Sequence, residues 1–258
     1  MKKITITSLA AMFVVAGSAS ASPLFHRGMF DISYRPGAEN FFAASGVTFV
    51  TGETENAGSM TDIASGETHQ VPLKGMYGFT DMFAVTLDMG NEYASPELGI
   101  NWRVLNDASF SIEVLASYGI AWTEEAVAPN TRIGDNNLKA GARIFGLAGN
   151  FQWGANVWAQ YVFVDTDDFL NLNMLFQGQY NFSQTYALYA ELGYDIQQIS
   201  EDTNFYDRYL NVGYVYNISK TAALMPFVGY HFATANSDNS NTMPDNYWQL
   251  GAKFAVEF

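Results

Sequence analysis

The residues best equipped for chemistry are few and scattered. Asp165, Asp167 and Asp168 stand together in the stretch DTDDF, hard oxygen donors of the kind calcium takes. That stretch lacks the glycine and the distal glutamate of a calcium loop, so it reads equally as a solvated acidic surface. Acid–base or nucleophilic catalysis needs a base, most often histidine, beside a nucleophile or a second acid. The chain has three histidines, His26, His69 and His231. His26 lies in an N-terminal segment without an evident partner. His69 begins a strand near Asp88, but alternation sends the two side chains to opposite faces. His231 sits in a polar row that accounts for it without chemistry. No G-x-S-x-G nucleophile motif occurs. The absence of cysteine excludes disulfides, thiolate metal sites and a lipid-bearing N-terminal cysteine. The sequence therefore assigns no catalytic residue, no cofactor and no metal ligand, and the expectation is that the protein is not an enzyme.

What could position functional side chains is a series of strands. Side chains on a strand alternate between faces, so a period of two means one apolar and one polar face. In Leu170–Phe182, Leu172, Met174, Phe176, Tyr180 and Phe182 share one face, while Asn171, Asn173, Gln177, Gln179 and Asn181 share the other. The same alternation runs through Pro96–Val104, Phe110–Trp122, Tyr186–Ile196 and Tyr247–Phe258. Five amides on one face do not suit a dry core, where every polar group needs a partner. They suit a face that meets water or other polar groups.

Short turns are expected near Gly78–Asp81, Asn106–Ala108, Gly146–Asn150, Ser183–Thr185 and Ser219–Thr221. Loops that are mostly longer and more polar are expected near Thr54–Thr68, Gly90–Ser95, Thr123–Asp135, Asp165–Asp168, Gln197–Asp207 and Ala233–Asn246. Short turns on one side and long loops on the other imply a transmembrane, antiparallel, up-and-down β-barrel. The count between turns is twelve strands, with ten or fourteen also compatible with the spacing.

The N-terminus opens with Lys2 and Lys3, continues through an apolar stretch and reaches the small-residue site Ala19-Ser20-Ala21. This pattern is a secretory signal peptide over residues 1–21, cleaved after Ala21. Its apolar core is too short to span a bilayer as a helix. Residues 22–39 are either a periplasmic tail or a plug that carries His26, Arg27 and Arg35 into the barrel; the barrel itself takes residues 40–258. The formal net charge of −14 argues against nucleic acid as a partner.

The last strand carries the most specific signal. Gly251, Phe254, Val256 and Phe258 end the chain on an alternating run with a terminal phenylalanine. In this the sequence resembles the Gram-negative outer-membrane β-barrel (porin-like) proteins, without the fingerprint of any subfamily. The resemblance implies location in the outer membrane among lipid and lipopolysaccharide. It also implies that the final strand is the signal read by the barrel-assembly machinery. Oligomeric state is not implied.

Assigning the apolar faces to lipid turns Lys74, Asp88, Arg103, Glu113, Lys139, Arg143, Glu191, Asp195, Lys253 and Glu257 inward, with Asn173, Gln177 and His231 among the neutral polar groups beside them. Seventeen acids against Arg132 and Arg208 fall in the outer loops and strand ends, Glu97 and Asp207 among them, with Glu124, Glu125, Asp165, Asp167 and Asp168 as the core of an acidic mouth. Such a mouth raises local cation concentration and repels anions. The expected function is passive passage of small hydrophilic solutes with a preference for cations. The alternatives are a closed barrel serving envelope integrity or surface interaction, and an outer-membrane hydrolase.

Overall fold

The computed structural model describes residues 39, 41–51, 69–70, 73–89, 96–107, 110–120, 136–163, 169–200, 203–235 and 246–258. They form strands β1 (Phe41–Thr51), β2 (His69–Gln70), β3 (Leu73–Thr80), β4 (Phe83–Asp88), β5 (Glu97–Asn106), β6 (Phe110–Gly119) and β7 (Asn137–Ala148). The series continues with β8 (Phe151–Val162), β9 (Phe169–Asn181), β10 (Tyr186–Ser200), β11 (Thr203–Asn217), β12 (Ala222–Ala235) and β13 (Tyr247–Glu257). Each pairs antiparallel with its chain neighbour, and β13 closes on β1.

Segments β2 and β3 are one stave. Both pair with β1, and the register Phe49↔His69 and Thr48↔Gln70 continues without a shift into Ser45↔Leu73 and Phe41↔Tyr77. The thirteen segments therefore make a closed barrel of twelve strands. Most are ten to fifteen residues long, enough for the roughly nine to eleven residues that a tilted strand needs to cross a bilayer.

The seam is hydrogen-bonded to its end. β1 pairs with β13 from Phe42↔Glu257 to Thr51↔Trp248. Phe41 N donates to Phe258 O at 3.2 Å, and Phe258 N donates to Phe41 O at 2.8 Å. The terminal phenylalanine thus completes the ring of strands and leaves no sheet edge unpaired at that rim.

The outer wall is apolar because, among the described side chains, the strands send their apolar parity outward. Leu98, Trp102, Leu192 and Leu250 are each more than half exposed, which is stable only in contact with hydrocarbon. Aromatic rings gather towards both ends of this wall. Tyr180 packs edge-on against Phe182, and Tyr186 stacks on Tyr216, by the short turns; Tyr161 meets Phe163, and Tyr230 meets Trp248, at the other end. Amphipathic rings prefer the two membrane interfaces, so these girdles bracket the lipid-embedded belt.

The described short turns fall where the sequence puts them. Thr80 Oγ1 accepts from the amides of Met82 and Phe83 at 3.2 and 3.0 Å, and Gly149 supplies the left-handed φ of 61° that the β7–β8 turn requires. The expected loop Gln197–Asp207 is instead largely strand: β10 and β11 stay paired out to Ser200↔Thr203. Gln197, Gln198, Ser200, Thr203 and Asn204 are polar at both parities of the sequence, so the period-two signal vanishes there. Pairing continues because backbone hydrogen bonds do not depend on it. Residues 1–38, expected to hold a signal peptide and a tail or plug, and the acids expected at the mouth, Glu124, Glu125, Asp165, Asp167 and Asp168, lie outside the described residues.

Candidate functional site

The lumen is built by the parity opposite to the lipid face. On β9, Asn173, Gln177, Gln179 and Asn181 are buried while Met174, Phe176 and Tyr180 between them are exposed. Strand register then decides which inward groups meet.

Glu113 on β6 stands directly across from Arg103 on β5 and from Arg143 on β7. Arg143 clasps it through Nε, 2.8 Å from Oε1, and through Nη2; Arg103 Nε lies 3.8 Å from Oε2. Glu113 is 0 % exposed, so its charge depends on these two guanidinium groups. Arg103 also lies 5.0 Å from the centre of the Phe145 ring.

A second centre forms around Glu191 on β10. Gln177 and Asn211 are its direct cross-strand neighbours on β9 and β11; Gln177 Nε2 donates to Oε1 and Asn211 Nδ2 donates to Oε2 at 3.2 Å. Lys253 comes from β13, three strands away along the wall, and places Nζ 3.4 Å from Glu191 Oε1. That bridge cuts across a chord of the barrel and narrows it.

Towards the outer loops, Lys74 pairs with Asp88 at 3.7 Å and Lys139 with Glu97 at 3.5 Å. Lys139 Nζ also sits 4.2 Å from the centre of the Trp158 ring. On the opposite wall, His231 Nδ1 lies 2.7 Å from Asp207 Oδ2, and Tyr247 donates to the same oxygen at 3.1 Å. The imidazole is stacked between Tyr209 and Tyr247, with ring centres 4.9 and 4.4 Å away. Asp195 faces Asp207 across the β10–β11 pair and accepts from Asn173 Nδ2.

The ten ionisable residues expected inward all have the lumen parity, and the structure joins most of them in pairs. Two further acids belong with them. Glu97 and Asp207, grouped by sequence with the outer acids, face inward: Glu97 accepts from Ser117 Oγ and pairs with Lys139, while Asp207 is buried against His231. Parity could have found both, since Glu97 is in step with Asn101 and Asp207 with Asn211. The loop boundaries had been drawn through them. Among the described residues the lumen thus carries seven carboxylates, Asp88, Glu97, Glu113, Glu191, Asp195, Asp207 and Glu257, against Lys74, Arg103, Lys139, Arg143 and Lys253.

The Asp207–His231 pair has the form of an oriented base, a feature the sequence reading did not assemble. Its other ring nitrogen, Nε2, faces Gln249 Oε1 at 3.1 Å rather than a hydroxyl nucleophile. Among the described residues no group of three or more His, Cys, Asp or Glu is placed to hold a metal ion.

The lumen is not polar throughout. At the short-turn end, one side of the inner wall is apolar: Phe42, Met76, Tyr189, Val215, Met225 and Phe227, set among Ala44, Ala84, Ala187, Ala223 and Ala255. Across from it Gln179 Nε2 donates to Gln152 Oε1 at 2.9 Å and to Asn181 Oδ1 at 2.7 Å.

No family model and no curated protein matches the sequence. Solved structures do match. An outer-membrane channel from Pseudomonas putida F1 superposes with a TM-score of 0.60 at 12% identity, over 87% of this chain and 97% of that one. The NanC porin gives 0.53 at 7% identity, over 81% and 98%. The KdgM porin, solved with disordered oligogalacturonate, gives 0.51 at 13% identity, over 82% and 97%. At such identities the likeness is one of fold alone, a β-barrel matched over nearly the whole of each neighbour.

Proposed function

We propose that this chain is a passive outer-membrane channel for small hydrophilic solutes, with a preference for cations. The observation that carries the reading is the division of the wall. Apolar side chains cover the outside of a closed twelve-stranded barrel, while ion pairs and amides line the inside. A polar lining is costly in a dry interior and useful along a hydrated path. The fold shared with an outer-membrane channel and two porins supports the reading. Lipid and lipopolysaccharide are then its surroundings, and the barrel-assembly machinery its partner in biogenesis.

Cation preference draws on two sources of charge. Lumen carboxylates outnumber lumen cations by two among the described residues, and the outer segments add Glu124, Glu125, Asp165, Asp167 and Asp168. One observation favours the second reading, a closed envelope barrel: the apolar side chains at the short-turn end of the lumen are sealed from water.

Reversal potential in a planar bilayer across a salt gradient separates these readings. Potassium should be favoured over chloride in dilute electrolyte and the preference should fade towards 1 M salt, where screening falls to about 3 Å. Changing the five mouth acids to Asn or Gln should weaken the preference. Anion selectivity, or a preference unmoved by the five substitutions, would refute the proposal; absence of any current would favour the closed barrel.

A further inference from the structure

The Asp207–His231 pair belongs to a larger patch of the inner wall whose charges do not balance. Asn173, Asp195 and Asp207 stand side by side in one cross-strand row of β9, β10 and β11. Tyr209, His231 and Tyr247 make the neighbouring row on β11, β12 and β13. The three rings stack, with interplanar angles of 23° and 12°. Tyr209 leans over Gly193 on β10, where a side chain would collide with its ring. The aromatic row therefore reaches back to the strand that carries Asp195.

Like charges directly opposite on paired strands repel, and Asp195 and Asp207 are such a pair. Asp88, Glu97, Glu113 and Glu191 each meet a lysine or an arginine. Among the described residues, no lysine or arginine forms an ion pair with Asp195 or Asp207. The balancing group is His231. Its Nδ1 faces Asp207 Oδ2 and its Nε2 faces Gln249 Oε1, so a doubly protonated ring would satisfy both oxygens. Even then two carboxylates face one cation. Asp207 is 6 % exposed, and its Oδ2 takes both His231 and Tyr247. Its Oδ1 is buried without a hydrogen-bond partner. A buried carboxylate oxygen left unsatisfied is costly, and the strongest remedy is a donor that also carries positive charge.

We propose that this patch is a subsite for small organic cations bearing N–H groups, alkylammonium or guanidinium, held between Asp195 and Asp207 with the rings of Tyr209 and Tyr247 beside them. The assignment rests on the channel reading, because the solute must enter the lumen, and it narrows the cation preference to a chemical class. Asp195, Tyr209 and Tyr247 are half-buried and form the side of the patch open to the lumen. The solute's charge meets Asp195 there first. A turn of that side chain then opens Asp207 Oδ1 to a second N–H. Charge-assisted hydrogen bonds fix the cation, and the tyrosine faces attract it through the ring quadrupole. A cation with no N–H gains the charge and the rings but leaves Oδ1 without a donor.

Saturation-transfer NMR on the folded protein in detergent micelles reads solute contact without requiring a current. The probes are methylguanidinium and, as an ion of equal charge without N–H groups, tetramethylammonium. Methylguanidinium should receive saturation and tetramethylammonium should not. Asp207→Asn and Asp195→Asn should each weaken methylguanidinium binding about tenfold. Asp81→Asn, at the exposed β3–β4 turn, should leave it unchanged. Heat-modifiable mobility verifies that each variant is folded, and Asp195→Asn carries the test should Asp207→Asn misassemble. No transfer to methylguanidinium, equal transfer to both probes, or binding unmoved by Asp195→Asn would overturn the proposal. A potassium current in bilayers without methylguanidinium binding removes the subsite and leaves the channel reading standing; binding without any current does the reverse.

Discussion

Met174→Arg tests the orientation of the whole wall. Met174 lies near the middle of β9, Phe169–Asn181, and is 47 % exposed on the outer face. It stands in register with Val157 on β8 and Tyr194 on β10. It borders a shallow depression in that face lined also by Ala142, Ala155, Phe176 and Leu192. These outward neighbours offer a guanidinium no carboxylate, and the central position leaves it far from either interface. An arginine at the midplane of a barrel's lipid face costs about 2–4 kcal/mol, falling to about 0–1 kcal/mol near the interfaces. The folding equilibrium in liposomes should therefore drop by roughly 30- to 1000-fold. Two controls set the scale. Phe182→Arg, at the exposed rim, should lie within about 1 kcal/mol of wild type. Asn173→Arg turns inward beside Asp195, whose carboxylate already accepts from Asn173, and should cost less than Met174→Arg. The assay is urea-driven equilibrium unfolding in large unilamellar vesicles, followed by tryptophan fluorescence and by heat-modifiable mobility on gels. Equal losses at 173 and 174, or a larger loss at 173, would show that the assigned faces are reversed.

Deleting Phe258 should remove the reciprocal hydrogen bonds to Phe41 and the terminal residue of the assembly signal, leaving misassembled or degraded protein; normal amounts of heat-modifiable barrel in the outer membrane would contradict this. Glu113→Gln should destabilise by about 3–5 kcal/mol, because it leaves Arg103 and Arg143 facing each other without their buried counter-charge. The double variant Glu113→Gln/Arg143→Met should regain part of that loss in the same urea titration. His231→Ala should change no hydrolytic activity of the purified protein, since Nε2 is engaged by Gln249; a phospholipase or protease activity abolished by the substitution would refute the non-enzymatic reading.

The sequence by itself determined which way each strand residue faces. Period two is a local property of extended backbone, so the amide row of β9 and the apolar row between its members are visible without knowing any neighbour. The strand count, the position of most short turns and the terminal pairing residue follow from the same local signal. It failed where the sequence is polar at both parities, as at Gln197, Gln198 and Asn204, and where a boundary was drawn too early, as at Glu97 and Asp207. Only the closed tertiary structure decided what meets what inside. Glu113 and Arg143 are 30 residues apart in sequence, and Glu191 and Lys253 are 62 apart. Their contacts depend on strand register and on the curvature that brings β10 and β13 within reach across a chord. The same holds for His231, whose partners Asp207 and Tyr247 come from the two strands flanking its own. It holds too for the apolar patch, which gathers one to three residues each from β1, β3, β4 and β10–β13. Side-chain parity is set residue by residue, but a lumen exists only once the sheet has closed on itself.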